Sequence, residues 1–193
     1  MAGIVLAGGK SRRMGRDKAC LPYGDSTLLA HVVEMVRSIA EPTFVVADIA
    51  DKYVLPDRTV VVGDMFPSAG PLGGLITGLT LAPGTYHVVV ACDMPRLNPA
   101  VLRLLMEKAN GADGAIPEVA GRLEPLCAVY HRRCADALRA QLDAGRLALH
   151  MAVESLALRR VGEDALRRID PDLACFTNLN TPEEYRRVRT DSS

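Results

Sequence analysis

The chain begins with a short apolar, β-branched segment that stops at two adjacent glycines. Residues 1–7 predict a buried strand, Gly8 and Gly9 end it, and residues 10–18 form a basic segment that closes on Lys18. Glycine lets backbone N–H groups approach phosphate oxygens closely, and cations neutralise the phosphate charge. A merely solvated basic loop would not require paired glycines at the end of a strand. The segment therefore predicts a strand that delivers a polyphosphate-binding loop.

Two familiar phosphate-binding loops do not fit this segment. Gly9-Lys10-Ser11 imitates the end of a P-loop, but that motif requires a glycine where this chain has Ile4. The dinucleotide-binding pattern G-x-G-x-x-G is also absent, because Gly8 and Gly9 are adjacent. The loop therefore belongs to a third type.

Charge is balanced over the chain and concentrated locally. The chain has 193 residues, with 23 Lys and Arg against 23 Asp and Glu. No overall field favours nucleic acid or a membrane, so we expect neither as a partner. The length suits one domain over residues 1–193, with a disordered tail at 190–193. No bilayer-spanning stretch or signal-peptide layout is present, so we expect a cytoplasmic protein.

The cysteines are scattered and lack the spacing of metal ligands. There are five of them, an odd number, in a chain large enough to fold without disulfides. We therefore expect free, buried thiols in a reducing compartment.

Continuous apolar runs alternate with amphipathic helical patterns along most of the chain. Continuous runs are typical of strands buried on both faces. The order predicts an α/β fold with a mostly parallel sheet and helices on both sides. The expected strands are residues 1–7, 43–47, 59–63, 86–92 and 126–130. The expected helices begin near Ser26 or Thr27, Pro71, Pro99, Arg132, Leu147 and Thr181, the last through a capping box.

Two aspartates directly follow predicted strands. Asp64 comes after residues 59–63, and Asp93 comes after residues 86–92, where Pro95 fixes the turn. Ligands of open parallel sheets bind beyond the carboxyl ends of the strands. Mg²⁺ is typically held by one or two carboxylates together with substrate phosphates. The pattern therefore predicts Asp93 as a Mg²⁺ ligand and Asp64 as a nucleotide contact.

A second glycine cluster, Gly70-Pro71-Leu72-Gly73-Gly74, lies at the start of a helical pattern. A glycine within a helix costs on the order of 1 kcal/mol relative to alanine, so Gly73 and Gly74 need an explanation. Either a base or ribose lies against this backbone, which would make Gly73 a nucleotide contact, or the helix packs closely on a strand. The sequence leaves both explanations open.

Together these motifs resemble the molybdenum cofactor guanylyltransferases, which belong to the nucleotidyltransferase superfamily that includes sugar-nucleotide pyrophosphorylases. The resemblance covers essentially the full chain, and the combination of motifs is specific. It implies a GT-A-like, three-layer α/β/α sandwich with a Rossmann-like sheet. It also implies transfer of GMP from Mg·GTP to the molybdopterin cofactor. The motifs, in order, are residues 6–18, Gly70–Gly74, Cys92–Pro95, Glu124–Leu126 and Phe176–Glu184.

The resemblance also implies roles for individual residues. Asp93 would hold Mg²⁺, and Asn178 and Asn180 would lie on the pterin side. Many members carry a nucleotide-contacting asparagine just after the second strand, where this chain has Ala47-Asp48-Ile49, so that contact is not assigned. Including both glycine clusters, the expected nucleotide contacts are Leu6, Ala7, Gly8, Gly9, Lys18, Asp64, Gly73 and Asp93.

The implied reaction needs mainly placement and charge. A terminal phosphate monoester can attack the α-phosphorus of GTP in line and expel pyrophosphate, so no protein nucleophile is required. Lys18, with Arg13, would stabilise charge on the departing pyrophosphate. The histidines show neither triad nor metal spacing, and we interpret all of them as structural.

Three other functions compete with this interpretation. A molybdopterin cytidylyltransferase would share fold and acceptor, but its first loop usually reads Leu-Ala-Ala-Gly, whereas this chain has Gly8 at the third place. A sugar-phosphate or polyol-phosphate nucleotidyltransferase fits the ending at residues 178–182 less well. A non-catalytic nucleotide-binding regulator would not retain both Lys18 and Asp93. Cofactor-delivery proteins and molybdoenzyme chaperones are candidate partners beside the two substrates.

Overall fold

The computed structural model describes residues 1–8, 17–48, 53–179, 181 and 184–185. The predictions for Gly9, Arg13, Asn180 and the tail at 190–193 concern residues outside this part of the chain. Within the predicted last helix, residues 184–185 are described and are helical.

Eight strands of the described chain form one sheet, in the order β10-β7-β9-β6-β1-β4-β5, with β8 added beside β7. A small separate hairpin joins β2 to β3. The strands are β1 (Ala2–Leu6), β2 (Pro22–Tyr23), β3 (Ser26–Thr27), β4 (Thr43–Ala47), β5 (Thr59–Gly63), β6 (Tyr86–Ala91), β7 (Gly114–Val119), β8 (Arg122–Leu123), β9 (Cys127–His131) and β10 (Leu158–Gly162).

Most neighbouring strands run in parallel. The strand β1 lies between β4 and β6 and is parallel to both, and β5 continues the parallel set beyond β4. On the other side, β9 runs antiparallel between β6 and β7, and β10 is parallel to β7. The prediction of a mostly parallel sheet is confirmed.

Helices cover both faces of this sheet. Along β1, Val5 belongs to one apolar core, whereas Ile4 and Leu6 belong to the other. Side chains of α1, α3 and α6 complete the first core, and those of α2, α4 and α5 complete the second. The three-layer sandwich is therefore confirmed. The helices are α1 (Leu28–Arg37), α2 (Pro71–Leu81), α3 (Pro99–Ala109), α4 (Cys134–Asp143), α5 (Leu149–Val153) and α6 (Glu163–Arg167), with 3-10 helices at Lys18–Cys20 and Ala174–Phe176.

The predicted helix starts have the expected caps. The Thr27 hydroxyl accepts the Ala30 N–H at 3.2 Å and begins α1. The predicted capping box is also formed, because the Thr181 N–H donates to Glu184 at 2.9 Å and the Glu184 N–H donates back at 3.2 Å.

Sequence reasoning missed the elements of the second half that lack an apolar run. The edge strand β10 exposes Arg159 and Arg160, and β7 contains Pro117, so neither has the apolar run that marked the central strands. The expectation of buried thiols is wrong for Cys20, which is exposed, although all five cysteines are free. No helix among the described residues is long and apolar enough to cross a membrane.

Candidate active site

A cavity of about 790 Å³ opens at the carboxyl ends of the central strands. Its wall includes residues 6–8 after β1, Val46 and Asp48 at the end of β4, and Asp64 after β5. The start of α2 and residues 91–93, at the end of β6, form most of the remaining wall. This is the edge at which ligands of open parallel sheets bind. The volume is in the range of pockets that hold small molecules.

Lys18 and Asp93 face each other in this cavity. The ammonium Nζ of Lys18 donates to Asp93 Oδ2 at 3.1 Å, and both side chains are mostly buried, with 17% and 19% of their surface exposed. The other carboxylate oxygen, Asp93 Oδ1, accepts no hydrogen bond from the described part of the chain. The lysine begins the first 3-10 helix, and the aspartate follows β6. The fold therefore brings together the predicted phosphate-binding cation and the predicted metal ligand.

Asp64 has a structural role that the sequence did not indicate. Its Oδ1 accepts the Phe66 N–H at 2.8 Å and the Thr77 hydroxyl at 3.0 Å. That hydroxyl, fully buried on α2, accepts the Met65 N–H at 3.0 Å. One carboxylate oxygen thus fixes the turn after β5 while the residue also lines the cavity.

The two helical glycines have different surroundings. A Cβ on Gly73 would lie 2.4 Å from the Phe66 carbonyl oxygen, and Gly73 does not line the cavity. Gly74 does line it, and a Cβ there would make only ordinary contacts, the nearest at 3.5 Å to Leu6. Close packing therefore explains why residue 73 is glycine. The helix packs there against the turn at Phe66, whereas the sequence analysis considered packing against a strand. Gly70, also in the wall, has φ +60° and needs the freedom of glycine.

Asp48 directly follows β4, in the stretch for which the sequence resemblance left a nucleotide contact unassigned. It is exposed and lines the cavity, and its Oδ1 would lie 3.2 Å from a Cβ placed on Gly8. The structure therefore places a second carboxylate beside residues 6–8, a wall residue that sequence reasoning left unassigned.

Asn178 lies outside the cavity wall but next to Asp93. The adjacent Leu179 N–H donates to the Asp93 carbonyl at 2.9 Å. The Asn178 amide oxygen is buried and has no hydrogen-bond partner within the described chain. This orphaned acceptor marks a position where a bound molecule could supply a donor.

The Cys92 thiol lines the cavity but is not suited to act as a nucleophile. Burial raises the pKa of the Cys92 thiol to about 12, so the thiol stays protonated at neutral pH. None of the four histidines lines the cavity; His31, for example, contacts the Pro95 carbonyl at 2.9 Å. Among the described residues, the wall instead offers the ammonium of Lys18, several carboxylates and exposed backbone.

The donor set fits a divalent cation that is shared with a ligand. Among the described residues, no group of three or more His, Cys, Asp or Glu side chains is arranged to hold a metal ion. Asp93 offers a carboxylate oxygen that accepts no hydrogen bond from any described residue, and it shares the cavity wall with Lys18. Mg²⁺ is typically held in this way, by one or two carboxylates with substrate phosphates and water.

An open, mostly parallel sheet with a cavity at the carboxyl ends of its strands is typical of α/β proteins that bind nucleotides there. Comparison with known families makes the assignment specific. The sequence pattern of the MobA-like NTP transferase domain matches residues 3–160. The chain belongs to this family of nucleotidyltransferases.

Individual relatives are similar over nearly their whole length. The molybdenum cofactor guanylyltransferase of Desulfosudis oleivorans is 36% identical over 190 residues, covering 97% of this chain and 94% of the relative. A probable molybdenum cofactor guanylyltransferase of Methanosarcina mazei is 36% identical over 199 residues, covering 96% and 88%. The expected family is therefore confirmed.

Solved structures agree with the fold. Molybdopterin-guanine dinucleotide biosynthesis protein A from Archaeoglobus fulgidus superposes with a TM-score of 0.83 at 28% identity, covering 99% of this chain and 98% of that one. The 2-C-methyl-D-erythritol 4-phosphate cytidylyltransferase of Thermus thermophilus has a TM-score of 0.72 at 15% identity, covering 99% and 98%. The second similarity concerns the fold alone.

Proposed function

We propose that this protein is a molybdenum cofactor guanylyltransferase that transfers GMP from GTP to the molybdopterin cofactor. An oxygen of the acceptor's terminal phosphate forms a bond to the α-phosphorus of GTP. The bond from that phosphorus to the α,β-bridging oxygen breaks, and pyrophosphate leaves with that oxygen. The observation that carries the proposal is the Lys18–Asp93 pair in the cavity of a chain whose relatives bear this enzyme name.

The placement of the charged groups in the described wall supports an orientation for GTP. Lys18 lies between the ends of β1 and β6 and provides the positive charge that stabilises the departing pyrophosphate. The N-terminus of α2, at Gly70 and Pro71, also faces the cavity and favours negative charge. Asp48 and Asp64 repel phosphate, so we assign them to the hydrogen-bond donors of the nucleoside.

Backbone contacts complete the proposed nucleotide site. Leu6, Ala7 and Gly8 line the cavity at the end of the central strand, and we assign them to contacts with guanosine. Gly74 replaces Gly73 as the helical glycine that faces the nucleotide, because Gly73 packs against Phe66. Gly9 and Arg13 remain predicted contributors to phosphate binding.

We further propose that the enzyme uses Mg²⁺, held by Asp93. When bound, this cation would neutralise phosphate charge and orient the α-phosphate for in-line attack. The role of the protein is then to hold the Asp93 carboxylate at the sheet edge and to keep Lys18 beside it.

The acceptor is expected to enter beside Asp93. The amide oxygen of Asn178, which is buried and has no hydrogen-bond partner among the described residues, supports placing the pterin on this side, with Asn180 as a predicted second contact. Any protein that delivers the cofactor or receives the product, including a molybdoenzyme chaperone, would dock near the same opening. Leu126, also in the wall, would lie on the acceptor's path.

The experiment that tests this function is a nucleotide panel with Mg²⁺, followed by a transfer assay. GTP is expected to raise the unfolding temperature more than CTP, UTP or ATP. A ligand at about 100 times its dissociation constant adds about 2.7 kcal/mol of stability. Release of pyrophosphate from GTP is expected only when molybdopterin is present.

Two results would contradict the proposal. Stabilisation by CTP and none by GTP would assign the protein to cytidylyl transfer instead. Binding of GTP without pyrophosphate release, with active molybdopterin supplied, would indicate a nucleotide-binding regulator.

A further inference from the structure

We infer that Tyr53 is a positioning residue that holds Lys18 in place through Asp17, by joining the end of β1 to the start of the first 3-10 helix. The inference rests on the proposed function, because Lys18 acts there on the phosphates of GTP. Tyr53 itself is absent from the cavity wall.

The Tyr53 hydroxyl lies between two separate parts of the phosphate-binding region. It is 3.0 Å from Asp17 Oδ2 and 3.4 Å from the carbonyl oxygen of Ala7. A phenol has one proton to donate, and the nearer, charged acceptor makes the stronger hydrogen bond. Tyr53 therefore donates mainly to Asp17 while its oxygen stays close to the end of β1.

Asp17 connects Tyr53 to the 3-10 helix that carries Lys18. Its other oxygen, Oδ1, accepts the Ala19 N–H at 3.0 Å and caps the 3-10 helix that Lys18 begins. One carboxylate thus orients the helix with one oxygen and is itself oriented by Tyr53 through the other. Lys18 follows directly in the chain, and its Nζ reaches Asp93 at 3.1 Å.

The environment strengthens the bond between Tyr53 and Asp17. The tyrosine packs against the apolar core formed by α1, α3 and α6, so its hydroxyl is partly withdrawn from water. Burial first, and then the hydrogen bond to Asp17, hold the pKa of Tyr53 above its usual value, so the phenol remains a donor. A hydrogen bond to a charged acceptor in such a setting typically contributes about tenfold in an equilibrium.

Three variants test this role by nucleotide affinity. Tyr53→Phe keeps the ring and removes the donor. Asp17→Asn keeps one oxygen for the Ala19 N–H and turns an amide toward Tyr53. Each variant is expected to weaken GTP binding about tenfold while GMP, which lacks the β- and γ-phosphates, changes less than twofold. The double variant is expected to match the single variants, because both remove the same hydrogen bond.

Tyr86→Phe is the matched control, because its hydroxyl also donates to an oxygen, the Ala112 carbonyl at 3.0 Å, away from the cavity. It is expected to leave both affinities unchanged. Should Tyr53→Phe fail to fold, Asp17→Asn decides alone, since it leaves the tyrosine ring in place.

Three outcomes would overturn the inference. They are equal weakening of GTP and GMP, additive losses in the double variant, or tighter GTP binding by Asp17→Asn, as expected for removal of a nearby negative charge. Failure of the wild-type protein to bind GTP would instead contradict the proposed function.

Discussion

The ammonium of Lys18 and the carboxylate of Asp93 lie 3.1 Å apart although 75 positions separate them in the chain. The first belongs to the segment after β1, the second to the turn after β6, and the parallel pairing of these two strands brings the segments together. Both side chains are less than one-fifth exposed, so water screens their interaction less than at the surface. The pair therefore places a cation and the proposed metal ligand at one point of the cavity.

Lys18→Ala is expected to slow GMP transfer by about 10²-fold or more, because loss of a preorganised cation typically costs a few kcal/mol in the transition state. Folding is expected to change little, since the side chain contributes mainly its charge. Initial rates of pyrophosphate release measure the effect. Lys108→Ala, at an exposed helix position paired with Glu107, is the matched control and should keep the wild-type rate. Turnover near wild type in Lys18→Ala would show that the lysine does not act on the phosphates.

Asp93→Asn is expected to abolish metal-dependent transfer while leaving a folded protein that still recognises the base. The amide has nearly the shape of the carboxylate but is a much weaker Mg²⁺ ligand. Activity should be followed as Mg²⁺ is titrated from low to saturating concentration, with GMP binding as the measure of an intact site. Full activity at saturating Mg²⁺ would mean that another carboxylate holds the metal.

Compared with Asp93→Asn, Asp64→Ala is expected to slow GMP transfer less but to destabilise the folded protein more. It removes the acceptor of the Phe66 N–H and of the Thr77 hydroxyl, which should cost about 1–3 kcal/mol of unfolding free energy. Thr77→Val is the control, because it disrupts the same turn without changing the cavity wall. Urea unfolding and transfer rates together separate the two roles. A stable Asp64→Ala enzyme without activity would identify Asp64 as the metal ligand instead.

The central strands could be predicted from the sequence because each carries its own signal. The bounds of β4 and β5 agree residue for residue with their apolar runs. The strand β4 is buried on both faces and needs continuous apolar sequence, whereas β5 has an apolar run although it lies at the sheet edge and is partly exposed. The predicted ends of β5 and β6 then located Asp64 and Asp93. The strand β10 gave no such signal, because it lies at the sheet edge and exposes Arg159 and Arg160.

Contacts between distant segments could not be predicted in this way. Tyr53 and Asp17 are 36 positions apart, and no local pattern relates them. The two explanations for Gly73 likewise stayed open until the position of the Phe66 carbonyl was known. Such contacts depend on how the helices and strands pack against one another. The sequence alone does not contain that packing, so it could not choose between the alternatives.

Gly73→Ala and Gly74→Ala are expected to have opposite effects, although the residues are adjacent. In Gly73→Ala the new methyl would lie 2.4 Å from the Phe66 carbonyl oxygen, and overpacking of this kind typically costs about 1–3 kcal/mol. In Gly74→Ala it would meet Leu6 at ordinary distance, so helix propensity should hold or raise stability by up to about 1 kcal/mol. Yet it would protrude into the cavity and weaken GTP binding.

Thermal unfolding with and without GTP measures both effects of the two glycine substitutions. Unchanged GTP affinity in Gly74→Ala would place the nucleotide elsewhere in the cavity. A Gly73→Ala protein as stable as wild type would show that the turn at Phe66 can shift to accommodate the methyl group at little energetic cost.

His87 is expected to make the protein less stable in mild acid. Its side chain on β6 is fully buried, and neither ring nitrogen has a hydrogen-bond partner among the described residues. Burial, followed by repulsion from the chain's amino terminus, lowers the pKa of His87 from 6.5 to about 4. Between these values the unfolded chain takes up a proton that the folded protein does not, so the free energy of unfolding falls as pH drops from 6.5 toward 4.

The size of this loss approaches about 3 kcal/mol near pH 4, because one pKa unit corresponds to about 1.4 kcal/mol. Urea unfolding at several pH values from 7.5 to 4.5 measures the slope. His87→Phe, which keeps a planar ring without a titratable group, should flatten that part of the profile. His150→Gln, at an exposed helix position, should leave the slope as in wild type. Parallel profiles for wild type and His87→Phe would mean that other groups, such as paired carboxylates, cause the acid sensitivity instead.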